Sequence, residues 1–370
     1  MIFYIILAIF PLALLLIESV LKRTFSIYIY FVLFILLGLI GGLRNETGVD
    51  WEAYELYFEN INIKKPAVEE YFSNLINLKF EFGYYLLNYY LKLIGLNYHS
   101  VFLISSLFST FTIFCFARKI KSKFVFVIFG FLGYSFLILN FAQVRQAFSV
   151  GFFLLVCIYY LRDKSKIYVV FFSLMAILFQ FSSLIYLVLA WSTLYIKTKS
   201  RLILLFLILL IFITFKINAY TLLKLITPYN LASKIETYEQ LAETSEGGMG
   251  QPVLGFILLF TILFLLTFLR EAKSSTELII LKYSLYSLSL TVLLIFVFPT
   301  NYVMFSRVYL VASLFQSFHL SIAYSRRSNF SFKLYAFFTI ILNLTFYFRI
   351  LTINSEFYTP YKSVITNAFQ

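Results

Sequence analysis

SIYIYFVLFILLGLIGGL, residues 26–43, runs without a charge for the length of a bilayer crossing and stops at RNETGVDWEAY, residues 44–54. A helix rises about 1.5 Å per residue, so about 20 apolar residues cross a hydrocarbon core about 30 Å thick. The run reads as a membrane span and the polar stretch as its exit on one side. In lipid every backbone N–H and C=O must find its partner within the segment, so a chain built from such runs is a bundle of helices.

The same pattern repeats along all 370 residues. Hydrophobic residues make up 61% and charged residues 13%, with mean hydropathy +0.89, which excludes a soluble globular domain. Apolar runs between charged loops fall at 2–20, 26–43, 99–117, 124–140, 144–161, 167–179, 183–196, 202–217, 252–270, 277–298, 304–324 and 333–350. The expectation is an all-α, polytopic integral membrane bundle of about 12 transmembrane helices, residues 1–370 forming a single transmembrane domain. No basic region precedes the first run and no Ala-x-Ala site follows it, so it reads as a retained span with its amino terminus outside.

Two segments test the parity of that count. Residues 82–96 are short and amphipathic and read as an interfacial or re-entrant helix. Residues 167–196 are interrupted by Gln180, Ser182 and Ser183 and read as a short hairpin. Its arms of about 14 residues reach only roughly 20 Å. Polar backbone at that depth is tolerated where it is buried in protein or lines a wet cavity. Loops 44–98 and 218–251 then lie outside, the second lid-like with Pro228, Gly247, Gly248 and Gly250.

The formal charge of +13 sorts by side. Lys22, Arg23; Arg118, Lys119, Lys121, Lys123; Arg162, Lys164, Lys166; Lys197, Lys199, Arg201; Arg270, Lys273; and Arg326, Arg327, Lys333 occupy alternate loops, with only Asp163, Glu271 and Glu277 against them. These loops are cytoplasmic by the positive-inside rule, so the excess is topological and nucleic acid is not a partner. Glu18 and Lys282 sit near inner span ends, from which they can snorkel.

Four arginines stand on the opposite face, at or inside the outer ends of spans: Arg44, Arg145, Arg307 and Arg349. A guanidinium is a planar fork that matches phosphate bidentately, and several around one cavity fit a pyrophosphate. Single arginines also anchor helices to lipid headgroups. Asp50, the only outer aspartate, is either a base or orienter of an arginine, or the N-cap of a helix carrying Tyr54, Tyr57 and Phe58 on one face. Without a carboxylate cluster, and with His99 and His319 far apart and Cys115 and Cys157 inside apolar runs, neither a metal nor another cofactor is expected.

Arg44-x3-Gly48-x-Asp50-x3-Tyr54, then Glu81-Phe-Gly-Tyr-Tyr-Leu-Leu-Asn88, Asn140-x4-Arg145-Gln146-Ala147 and Phe179-Gln-Phe-Ser-Ser183 resemble the EpsG-like family of bacterial exopolysaccharide and O-antigen polymerases, the Wzy type. The likeness is strongest over residues 30–190 and extends weakly through Arg307 to Pro360-Tyr361-Lys362-Ser363. It implies a lipid-phosphate-dependent, GT-C-like glycosyltransferase in the bacterial inner membrane, with its active site facing out. The substrate so implied is a glycan on undecaprenyl pyrophosphate, and a chain-length regulator and flippase of the same pathway are implied partners. On this reading Arg145 and Arg307 hold the pyrophosphate, Arg44 and Asp50 complete the wall, Gln146 and Gln180 orient hydroxyls, and Tyr54 and Arg349 are further substrate-binding residues. The family pattern carries histidine where this chain has Gln180, and glutamine is no general base, which leaves Asp50 as first candidate. Competing expectations are a transporter or flippase of lipid-linked glycan and an O-antigen ligase. The first sits poorly with a chain almost devoid of ionisable groups at mid-span.

Overall fold

The computed structural model describes residues 2–21, 24–73, 80–161, 166–195, 250–269, 271–297, 302–324, 330–353 and 355–367. The expected span 202–217, most of the 218–251 loop, and the basic residues Lys22, Arg23, Arg162, Lys164, Lys197, Lys199, Arg201, Arg270, Arg326 and Arg327 lie outside them. Helix dominates the described residues, and an isolated antiparallel bridge joins Arg44 to Ser363.

The helices follow the apolar runs: α1 (Ile2–Leu21), α2 (Ile27–Gly42), α3 (Trp51–Glu59), α4 (Ala67–Ser73), α5 (Phe82–Leu93), α6 (Tyr98–Lys119), α7 (Phe124–Gly130), α8 (Val144–Tyr160), α9 (Lys166–Phe179) and α10 (Ser183–Tyr195). Beyond these come helices Gly250–Phe268, Ser275–Val297, Tyr302–Tyr324 and Phe330–Ile353. Among the described residues, Ile2–Leu21, Tyr98–Lys119, Ser275–Ile295 and Phe330–Thr352 are long and apolar enough to cross a membrane, beside several shorter apolar helices. α5 has 12 residues, about 18 Å of rise, too short to cross a membrane alone, and packs on α6 and α9. The 167–196 run breaks after Phe179, and Ser183 restarts the helix with its N–H on the Gln180 carbonyl at 3.0 Å.

Backbone contacts divide the chain into two compact units, residues 1–187, 320–327 and 340–370, and residues 188–319 and 328–339. In the first, α6 lies between α2 and α8, and α9 lies along α8. The α2–α6 approach is close: a Cβ on Gly38 would sit 2.7 Å from the Thr110 hydroxyl, and one on Gly42 2.6 Å from the Leu103 Cα. Small residues at a helix interface are how packing is gained where lipid removes the hydrophobic drive. The Glu18 carboxylate accepts the Tyr30 hydroxyl at 2.5 Å and the Phe25 N–H at 2.8 Å, pinning the α1–α2 turn. In the second unit, the Ser274 hydroxyl accepts the Glu277 N–H at 3.1 Å at the start of Ser275–Val297, and the Glu277 carboxylate accepts the Lys273 N–H at 3.2 Å. There His319 Nδ1 lies 3.4 Å from the Tyr335 hydroxyl.

The stretch that shapes the site is the end of the fourth apolar run. After α7 the helix widens into two π-helical turns, Phe131–Ser135 and Ile138–Ala142, and ends at Gln143 before α8 begins. Such π-turns insert a residue into the helical ladder and often mark functional positions. The Phe141 carbonyl in the second of them accepts from Arg44, and Arg145 follows at the start of α8.

Candidate active site

The polar stretch that follows α2 is held from three directions. Arg44 is fully buried, its guanidinium donating to the Phe141 carbonyl and, at 2.9 Å, to the Thr47 carbonyl, with the Phe102 ring 4.2 Å below it. Burial lowers its pKa to about 10, so it is still charged at neutral pH. Gly48 stands at φ +108, and a Cβ there would lie 2.8 Å from the Phe141 carbonyl carbon and inside the envelope of its oxygen and the Arg44 guanidinium. Only glycine fits that backbone and that approach. The third hold is the C-terminal segment. Lys362 C=O accepts from Asn45 N–H at 3.0 Å, Phe357 C=O from Gly48 N–H at 2.7 Å and Leu43 C=O from Val364 N–H at 2.8 Å, with Lys362 Nζ on Glu46 at 2.6 Å.

Asp50 occupies the N-cap position of α3, yet its carboxylate makes no capping hydrogen bond. Its carbonyl accepts the Tyr54 N–H at 3.2 Å, and the exposed carboxylate acts by charge on Arg44 and Tyr54. The capping reading thus holds for position and fails for the side chain. Tyr54 is buried, and burial raises its pKa against the opposing pull of Arg145, with which its hydroxyl is hydrogen-bonded.

Arg145, the second residue of α8, is the centre of the constellation. Its guanidinium pairs with the Glu81 carboxylate, lies 4.5 Å from the Phe80 ring centroid and meets the Tyr54 hydroxyl. The other Glu81 oxygen accepts the Phe181 N–H at 3.3 Å, at the break between α9 and α10. Gly83 allows this, since a Cβ there would be 2.9 Å from the Leu178 carbonyl oxygen. Both members of the pair keep solvent access, 19% for Arg145 and 23% for Glu81, where Arg44 keeps none. Beneath them Tyr54, Phe58, Tyr84, Phe102, Phe148 and Phe179 form an apolar floor.

The motif residues around Arg145 have structural partners. Ser105 donates to the Val144 carbonyl at 3.0 Å, and Ser109 to the Asn140 side chain at 3.0 Å, while Gly41 leaves room for Asn140. Gln146 is buried and donates to the Tyr186 hydroxyl, so it ties α8 to α10. Gln180 is buried in the α9–α10 break, its N–H on Ala176.

Arg44, Asp50, Tyr54 and Arg145 therefore come together in the first unit, with Gln146 and Gln180 behind them. Arg44 shapes the wall from inside and presents no surface to a ligand. Arg307 lies half-buried on Tyr302–Tyr324 in the second unit, and Arg349 half-buried near the end of Phe330–Ile353. Sequence reasoning passed over Glu81 as a site residue. Its signal was an isolated acid between Phe80 and Phe82 at the head of an amphipathic helix, which reads equally well as a cap.

Among the described residues, four helices long and apolar enough to cross a membrane read as those of a membrane protein, and in the first unit a partly exposed arginine–carboxylate pair lies over an aromatic floor. The family model for the EpsG family matches residues 27–363, and the chain belongs to that family. Membership points to an exopolysaccharide-related polymerase. No curated protein and no solved structure matches the chain.

Proposed function

We propose that this protein polymerises undecaprenyl-pyrophosphate-linked oligosaccharide repeat units into O-antigen, capsule or exopolysaccharide at the outer face of the inner membrane. The observation that carries the reading is Arg145: a partly exposed side chain whose guanidinium is preorganised by Glu81, Phe80 and Tyr54 among apolar helices. Glycosyl transfer from a lipid pyrophosphate leaves charge on the departing phosphate. Fixed donors in a low-dielectric site stabilise that charge in the transition state without reorganisation. Guanidinium hydrogen bonds to phosphate contribute about 1.5–3 kcal/mol each. Arg307 and Arg349 are proposed as further anion contacts. The aromatic side chains around Arg145, Phe80 and Tyr57 among them, supply apolar faces against which sugar rings pack.

Deleting the gene in its host and resolving surface glycan on a gel tests the assignment. A polymerase leaves single repeat units on the lipid anchor and no ladder. Long chains retained on undecaprenyl indicate a ligase, and units trapped on the cytoplasmic side indicate a flippase.

A further inference from the structure

The first step of transfer needs a group that takes the acceptor's proton, and Gln180 has no basic oxygen or nitrogen to offer. Glu81 stands in the right place. One carboxylate oxygen is on Arg145 and the other on the N–H of Phe181, the residue after Gln180, and part of its surface is open. The Glu81 carboxylate sits on Nη1 of that guanidinium, a donor that a phosphate would use, so the two anions compete for one cation.

We infer that Glu81 is the proton acceptor of the reaction, held on Arg145 while the site is empty and displaced from it when pyrophosphate takes the guanidinium. The inference rests on the polymerase reading. Displacement frees the carboxylate oxygen that Arg145 had engaged and leaves it beside the bound donor, while the Phe181 N–H keeps hold of the other oxygen. The acceptor hydroxyl then passes its proton to Glu81 as its oxygen bonds to the anomeric carbon. The bond from that carbon to the phosphate oxygen breaks, and its electron pair leaves with undecaprenyl pyrophosphate, whose charge Arg145 holds. The proton on Glu81 is lost to water before the next cycle, and no oxidation state changes. The Glu81-Phe82-Gly83 sequence is then a unit: the acid, an aromatic, and the glycine that lets the helix start against Leu178.

Glu81→Gln keeps the shape and an acceptor for the Phe181 N–H while removing charge and basicity. The full-length protein in nanodiscs is titrated with inorganic pyrophosphate, and the same variants are expressed at equal level in the deletion host for glycan gels. The expected result is several-fold tighter pyrophosphate binding by Glu81→Gln, with chain extension reduced about 100-fold or more, the usual scale for a lost general base. Glu81→Asp restores a measurable fraction of chain extension. A normal ladder from Glu81→Gln with pyrophosphate binding intact overturns the role of Glu81 and leaves the phosphate site standing. Loss of both pyrophosphate binding and folded protein in Glu81→Gln, with Glu81→Asp folded yet equally inactive, also overturns it, since the residue is then structural. Absence of pyrophosphate binding in the wild type overturns the phosphate site itself.

Discussion

Gly48→Ala adds one methyl group at a point where backbone, guanidinium and C-terminal segment converge. The residue sits at φ +108, where an L side chain costs about 1–3 kcal/mol in backbone strain. The methyl also overlaps the Phe141 carbonyl and the Arg44 guanidinium. Neither can give way cheaply. Phe141 lies in a π-turn packed against α2 and α6, and Arg44 is buried with that carbonyl as one of its partners. The loop must back off and lose the Arg44 hydrogen bond, a further 1.5–3 kcal/mol or so for a charged donor. The expected loss is about 4 kcal/mol. Gly95→Ala is the control: φ is +81 and nothing lies within 4 Å of its added Cβ, so only strain of about 1–2 kcal/mol remains. At roughly 2 °C per kcal/mol for a chain of this size, Gly48→Ala lowers the melting temperature in detergent by about 8 °C and Gly95→Ala by about 2–4 °C. Equal shifts for the two variants would refute the account of how Arg44 and Gly48 are held.

Arg145→Lys keeps the charge and loses the planar fork, so chain extension should fall about 10–100-fold at unchanged protein level, read as glycan length in the deletion host. Removing residues 356–370 deletes the partners of Asn45, Gly48 and Glu46 and the buried Tyr358. At about 1 kcal/mol for each lost hydrogen bond the truncated protein should melt several degrees lower, and proteolysis should open the 44–50 loop first. Tyr54 holds its proton more tightly folded than unfolded, so its contribution to stability is complete below pH about 10 and falls as pH rises beyond that. Tyr54→Phe should therefore flatten the alkaline loss of stability by up to about 1.4 kcal/mol per pH unit, measured by unfolding at pH 10–11.

The membrane helices were legible because lipid leaves a chain little choice. An uncharged run such as 26–43 becomes a helix, and a polar interruption such as Gln180 to Ser183 becomes a break. Amphipathicity separated α5 from the spans for the same reason. What joins the site was not legible. Glu81 and Arg145 are 64 residues apart and Arg44 and Phe141 97 apart, and nothing local announces either pairing. Phe131–Ala142 is apolar apart from Ser135 and Asn140, and the pattern of hydrophobic residues does not distinguish a π-turn from an α-helix. Arg44 read as a phosphate ligand because a guanidinium beside a bilayer suits that role. Folding instead stacks it on Phe102 and under the C-terminal segment, a use that depends on residues more than 300 positions away. Pro360 to Ser363 looked like a faint extension of the family pattern and turns out to be the clamp on the loop.

The most direct test is reconstitution. The purified protein is placed in liposomes with undecaprenyl-pyrophosphate-linked repeat units from its own host, in the presence of EDTA, and both glycan length and free undecaprenyl pyrophosphate are followed. The account predicts a ladder of lengthening chains, one undecaprenyl pyrophosphate released per unit joined, and neither product from Arg145→Ala. Repeat units that remain single while crossing the bilayer, or a ladder undiminished by Arg145→Ala, would contradict it.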